Sequence, residues 1–271
     1  LYSNLAAFVV VPAGVFVTIS FIESCCSGGI RVRDLLVVLV TGVALASLQP
    51  NAVFSVAVLS APICAGTMVK LLAERDVSAK KRKSITAAAI GAVLIAWVLL
   101  WMAPPFSSMV TYPWPATAEE GRAFFDVTTL AMMSGVPQWV LGMLVLSGAI
   151  WAFVKKRNRA LVVSYGICAV MFFICVVSDG TLRSLIDGFW YNDAYRIAAL
   201  VALAGIPLAS MGLCAICDLV NGLLRGLCEK GPDKRIVFAA AMGLTFMLLY
   251  FPRGIIGHEL GWYTPFEDVR G

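Results

Sequence analysis

An all-α, polytopic bundle of about eight transmembrane helices is the fold that this sequence predicts. Three observations predict it. Of the 271 residues, 60% are hydrophobic and only 14% are charged, far less charge than a soluble domain carries. The apolar residues come in continuous blocks of roughly 17–25, the length of helix that crosses a hydrocarbon core. Between the blocks, basic residues gather in short loops. A segment in lipid must satisfy its own backbone, so the blocks are read as helices; the alternating pattern of outer-membrane barrel strands is absent.

The blocks span residues 4–22 (with Pro12), 35–48, 52–72, 85–103, 137–154, 161–177, 195–217 and 236–251. Arg31 and Arg33 follow the first block. A run from Lys70 to Lys83 follows the third, Lys155 to Arg159 the fifth, and Arg225 to Arg235 the seventh. The positive-inside rule places these four loops in the cytoplasm and both ends of the sequence outside. The net charge of +5 is thus a topology signal, and no nucleic-acid partner is expected. Membrane lipid is. Residues 1–252 read as one bundle in a plasma membrane. Residues 253–271 read as an extracytoplasmic tail leading to a missing C-terminal region, and the whole as a fragment of a larger membrane protein without its own signal peptide. Ala and Gly, plentiful in the last two blocks, suit close helix packing.

The outside segments carry the chemistry. Gln49-Pro50-Asn51 is a sharp turn in which Asn51 is expected to cap the next helix, with a cavity-lining role as the sharper alternative. The loop 104–136 holds Tyr112-Pro113-Trp114-Pro115, suited to the membrane interface. Within it, Thr117-x-x-Glu120 has the form of a capping box. The stretch with Phe124, Phe125, Val127, Leu130 and Met133 reads as an interfacial amphipathic helix. The stretch 179–196, DGTLRSLIDGFWYNDAYR, sets Asp179, Arg183, Asp187, Asp193 and Arg196 beside Trp190, Tyr191 and Tyr195. Asp193 fits the positive end of a helix dipole. Arg196 at the same end needs a reason. An anionic ligand such as a phosphate is one, and an Asp193–Arg196 pair at i, i+3 is the other.

Other motifs are weak. Of eight cysteines, none lies in a segment read as outside, so no disulfide framework is expected. Cys214-x-x-Cys217 has redox or zinc spacing but no second pair, and reads as packing. His258 alone, beside Glu259, makes no metal site. No Walker loop, dinucleotide fingerprint or nucleophile elbow is present. The absence of charges deep in the helices argues against an ion-coupled transporter.

Several segments together carry a resemblance: LYSNLAAF at residues 1–8, QPNAVF at 49–54, Trp114-Pro115-Ala116, and Trp190-Tyr191-Asn192-Asp193-x-Tyr195-Arg196 before Pro207-Leu208-Ala209. In this order they resemble an actinobacterial family of large polytopic membrane proteins of unknown function. That family is similar to the C-type (GT-C) glycosyltransferases, which take sugar from a polyprenyl-phosphate carrier on the outer face of the membrane. The resemblance implies a cell-envelope glycosyltransferase with a polyprenyl-phosphate sugar donor and a cell-envelope glycan acceptor. The catalytic carboxylate of such enzymes lies near the chain's beginning and is expected upstream of this sequence, so no catalytic residue is assigned. By the same resemblance Arg196 holds the lipid phosphate, Asp193 and Asn192 orient Arg196 or a sugar hydroxyl, and Trp190 and Tyr191 stand at the cavity mouth. Asp179, Asn51 and Gln49 complete the expected substrate-binding set. The chemistry asks for cations or a divalent metal ion to stabilise the departing phosphate, although no metal ligands are assigned. A lipid or polysaccharide transporter and a non-catalytic membrane scaffold are the competing readings. Convergence of Asp179, Asp193 and Arg196 on one outside cavity is what separates the first reading from a scaffold.

Overall fold

The structure is a computed structural model that describes residues 2–227 and 233–250. The tail from residue 251, with His258 and Glu259, and the loop residues 228–232, with Cys228 and Lys230, lie outside the described residues. Every predicted apolar block is a helix. In chain order the helices are α1 (Tyr2–Ser27), α2 (Val32–Leu48), α3 (Pro50–Glu74), α4 (Ala79–Met102), the short α5 (Ser107–Val110), α6 (Glu120–Thr129), α7 (Trp139–Val154), α8 (Arg159–Val177), the short α9 (Thr181–Asp187), α10 (Ala194–Leu227) and α11 (Lys234–Tyr250). No strand occurs among the described residues.

Five of these helices are long and apolar enough to cross a bilayer: the spans Asn4–Ser27, Pro50–Glu74, Ala79–Met102, Arg159–Val177 and Ala194–Leu223. The other three predicted crossings, α2, α7 and α11, are helices of 17, 16 and 17 residues, at the short end of the spanning range. One face of α4 carries apolar side chains that point outward, with Leu94, Ile95 and Leu99 more than 60% exposed. Such a face suits lipid and not water. The protein is a multi-pass membrane protein.

The chain divides into two compact units. The first comprises Leu1–Val127 and Asn158–Ala204, and the second comprises Thr128–Arg157 and the described residues from Gly205 onward. In the first unit α3 is central and packs against α1, α2, α4 and α8. Gly14 of α1 makes room for this contact, since a β-carbon there would lie 2.7 Å from a Val56 methyl. Ser164 of α8 donates to the Leu59 carbonyl of α3 at 2.9 Å. In the second unit α7 crosses the later part of α10 at Gly148 and Gly212. A β-carbon on Gly148 would collide with the Leu208 carbonyl, and one on Gly212 with the Leu144 carbonyl. Small residues let the two backbones touch, as membrane helices commonly do.

Local details differ from expectation in three places. Pro50 is the first residue of α3, and Gln49, with extended backbone (φ −165°, ψ 119°), takes the cap position. Asn51 is therefore inside the helix and does not cap it; its side chain is buried. Thr117 does not close a capping box either, because its backbone N–H donates to the Val176 carbonyl at 2.9 Å and α6 begins at Glu120. The buried face of α6 is Ala123, Asp126 and Thr129, while Phe124 is 66% exposed. The helix stops at Thr129, short of Met133.

Candidate functional site

At one end of the first unit, the segments predicted to lie on one face come together. The α2–α3 turn, the loop after α4 and the α8–α10 connection meet there. Their centre is aromatic. Phe54 of α3 stacks on Phe189 at 3.8 Å between ring centroids, with Trp97, Phe106 and Trp190 around the pair. The three indole N–H groups here each find an acceptor, as withdrawal from water demands. Trp190 donates to Ser55 Oγ at 2.9 Å, Trp97 to the Leu185 carbonyl at 2.9 Å, and Trp101 to Ser184 Oγ at 3.1 Å. Gly188 is required where α9 meets α5, since a β-carbon would lie 2.8 Å from that of Val110.

Arg183 ties this end together. It is buried, and its guanidinium donates to the Trp114 carbonyl at 2.7 Å and to the Asn192 carbonyl at 2.7 Å. It also pairs with Asp179 at 3.3 Å. One side chain thus clamps the loop of Tyr112–Trp114 to the turn of Tyr191–Asn192. That turn holds two consecutive residues in the left-handed region, Tyr191 (φ 63°) and Asn192 (φ 54°). Asn tolerates this conformation, but for Tyr it is costly. The hydrogen bonds to Asn192 hold it: besides accepting from Arg183, Asn192 donates through Nδ2 to the Tyr112 carbonyl at 2.9 Å and to that of Val110 at 3.3 Å.

Below the clamp, Asp187 is fully buried and neither carboxylate oxygen has a hydrogen-bond partner. Burial pushes its carboxyl well above the usual carboxylate range, and the nearby Arg183 charge only partly opposes this.

Above the clamp opens a cavity of about 630 Å³. Trp101, Tyr112 and Trp114 supply aromatic surface, Pro113 and Pro115 shape the rim, and Asp179, Arg183 and Asn192 supply the polar groups. Tyr112 and Trp114 are half exposed, with ring centroids 6.0 Å apart. The Asp179 side chain is 70% exposed, although one oxygen accepts from the Ala116 backbone N–H at 3.1 Å.

The predicted site residues divide around this cavity. Asp179 and Asn192 line it; Asp193 and Arg196 do not, so the three charged residues whose convergence would set a glycosyltransferase apart from a scaffold do not share this cavity. Arg196 donates to Asp193 at 3.1 Å, and Asp193 also accepts from the Tyr195 backbone N–H at 2.9 Å. This is the cap-and-pair arrangement at i, i+3. The Arg196 guanidinium lies over the Tyr191 ring, 4.6 Å from its centroid, and Tyr191 meets Tyr112 edge-on at 6.0 Å. Arg196 therefore stands one aromatic ring away from the cavity wall. Trp190, expected at a cavity mouth, is instead wholly buried, because its neighbours in the aromatic core outcompete the interface for it. Asn51 is buried in α3, and neither Asn51 nor Gln49 lines the cavity. Arg183 was within the sequence stretch singled out but was not assigned a role. Its spacing of four from Asp179 was the legible signal.

Among the described residues, no three of His, Cys, Asp or Glu converge. The seven described cysteines, including Cys214 and Cys217, are free thiols. Compared with known families, residues 1–265 match the family of unknown function DUF6541. No curated protein and no solved structure matches the chain.

Proposed function

Because the chain belongs to the DUF6541 family of unknown function, we propose from its own chemistry that it is the sugar-handling part of a cell-envelope membrane glycosyltransferase. The donor in this reading is a polyprenyl-phosphate sugar, taken on the extracytoplasmic face. The observation that carries the reading is the cavity in which an exposed carboxylate, Asp179, stands among Tyr112, Trp114 and Trp101. Aromatic faces with a few placed polar groups are how concave sites hold a ligand and fix its orientation, and a carboxylate among them accepts sugar hydroxyls. The cavity opens at the end of the bundle away from the basic loops at Arg31–Arg33 and Lys80–Lys83, which the positive-inside rule assigns to the cytoplasm. A lipid-linked donor fits this position. Its polyprenyl chain lies along the apolar helices, its sugar in the cavity, and its phosphate toward Arg196, whose planar fork suits phosphate oxygens.

The test is transfer of radiolabelled sugar from polyprenyl-phosphate donors to envelope glycan acceptors. It uses membranes holding the full-length protein as wild type, Asp179→Asn or Arg196→Ala. Transfer by the wild type, lost in both variants at equal membrane abundance, is the expected result. No transfer from any donor would give the protein to the transporter or scaffold reading.

A further inference from the structure

We propose that the start of α4 seats the headgroup of an anionic phospholipid, held by Lys80, Lys81 and Lys83 in the leaflet that meets this end of the helix. The surface is independent of the sugar-handling reading. It lies at the far end of α4 from Trp101, which lines the cavity.

Lys80, Lys81, Arg82 and Lys83 are consecutive at the beginning of α4 (Ala79–Met102). This is the unfavourable end for cations, because the helix dipole is positive there. Lys80 and Lys83, three apart, are also neighbours on the helix surface and repel each other. The first turn holds no acidic residue, and none of the four cations forms an ion pair among the described residues. Residues 70–83 set six basic side chains against only Glu74 and Asp76, and Glu74 is paired with Lys70 at 3.9 Å. Lys80, Lys81 and Lys83 are exposed. The compensating charge must come from outside the chain.

The rest of the helix decides what stands outside. From Ile85 to Met102 α4 carries no charged residue, a length of about 27 Å at 1.5 Å per residue, close to the hydrocarbon thickness of about 30 Å. With that stretch in the hydrocarbon, the lysines fall at the depth of the headgroups. The direction matches as well. Positions five full turns apart stand in line on a helix, which sets Lys81 under Leu99 and Lys80 under Val98, 63% and 41% exposed. Arg82 points to another side of the helix and is only half-exposed. A lipid whose chains run along Leu94, Ile95 and Leu99 thus brings its phosphate to Lys80 and Lys81. Phosphatidylcholine brings its own ammonium with that phosphate, whereas a headgroup of net negative charge leaves its charge for the lysines.

The experiment is electron spin resonance of the full chain in phosphatidylcholine vesicles. Spin-labelled phosphatidylglycerol and spin-labelled phosphatidylcholine are the probes, and the fraction of each immobilised on the protein is the reading. Phosphatidylglycerol is expected to be preferred about fivefold, the worth of one cation at a charged surface. The preference should shrink in 0.5 M salt, roughly as a Debye length of a few ångströms requires. Lys80→Gln, Lys81→Gln and Lys83→Gln together should remove it, and these exposed, unpaired side chains can be exchanged without disturbing the fold. The same number of charges removed from the other basic loop, by Lys155→Gln, Lys156→Gln and Arg157→Gln, should leave it in place. No preference in the wild type, a preference that survives the first triple variant, or an equal loss in the second would each overturn the proposal.

Discussion

Two arginine–aspartate pairs sit within thirteen residues of each other and do different work. Arg183 and Asp179 are four apart, and Arg196 and Asp193 are three apart. Arg183 is buried and spends its strongest hydrogen bonds on backbone carbonyls from distant segments. Arg196 is 20% exposed, bonds to its own helix start and stacks on one tyrosine. The lesson is that an ion pair's importance lies less in the partner charge than in what else the guanidinium reaches. Asp179 adds little to the hold of Arg183, being largely in solvent. The Trp114 and Asn192 carbonyls add most of it.

Substitutions should break this comparison unequally. Arg183→Ala removes two charge-assisted hydrogen bonds to backbone carbonyls, so a loss of roughly 3–6 kcal/mol is expected. It is measured as a fall in thermal midpoint in detergent, with partial recovery in Arg183→Lys. A loss no larger than that of Arg196→Ala would show that the clamp is not holding the loop.

The next effect is one of pH. The Asp187 carboxyl is held above its ordinary range by burial. Below that ordinary range both folded and unfolded chains carry the proton, and its contribution is fully present. As pH rises through the ordinary range and toward the folded value, the unfolded chain gives up its proton while the folded chain keeps it, so stability falls. Asp187→Asn should flatten that fall over the same window. A wild-type profile that rises with pH there, and falls only in acid, would mean that Asp187 is ionised and paired with Arg183.

Smaller effects belong to the second pair. Asp193→Ala loses a helix cap and should cost about 1 kcal/mol. Arg196→Ala should cost about 0.5 kcal/mol or less. The contrast becomes sharpest if Arg196→Ala nevertheless removes sugar transfer, since a residue that matters little to folding and much to activity is one that meets substrate.

The helices were legible because length and hydropathy are local properties. Even so, α10 continues to Leu227, ten residues beyond the predicted end at Cys217, because Asp218 and Asn221 interrupt the apolar run without interrupting the helix. The site was legible only in part. Asp179 and Asn192 stood out as polar residues at a helix boundary. The role of Arg183 depends on a carbonyl at Trp114, 69 residues away, which no local pattern reveals. Trp190 looked like an interface anchor because it stands in the aromatic run Phe189-Trp190-Tyr191 at a helix boundary, whereas its neighbours in space are Phe54 and Trp97.

The bond between Trp190 and Ser55 joins residues 135 apart in the chain. A ribosome adding roughly 5–20 residues per second needs about 7–27 seconds to make the partner that Ser55 waits for. During that interval α3 is already synthesised, and Phe54 can meet Trp97 and Phe106 but not yet stack on Phe189. The aromatic end therefore closes late, and the early helices must tolerate an unfinished neighbour for a time long compared with the motions of a membrane helix.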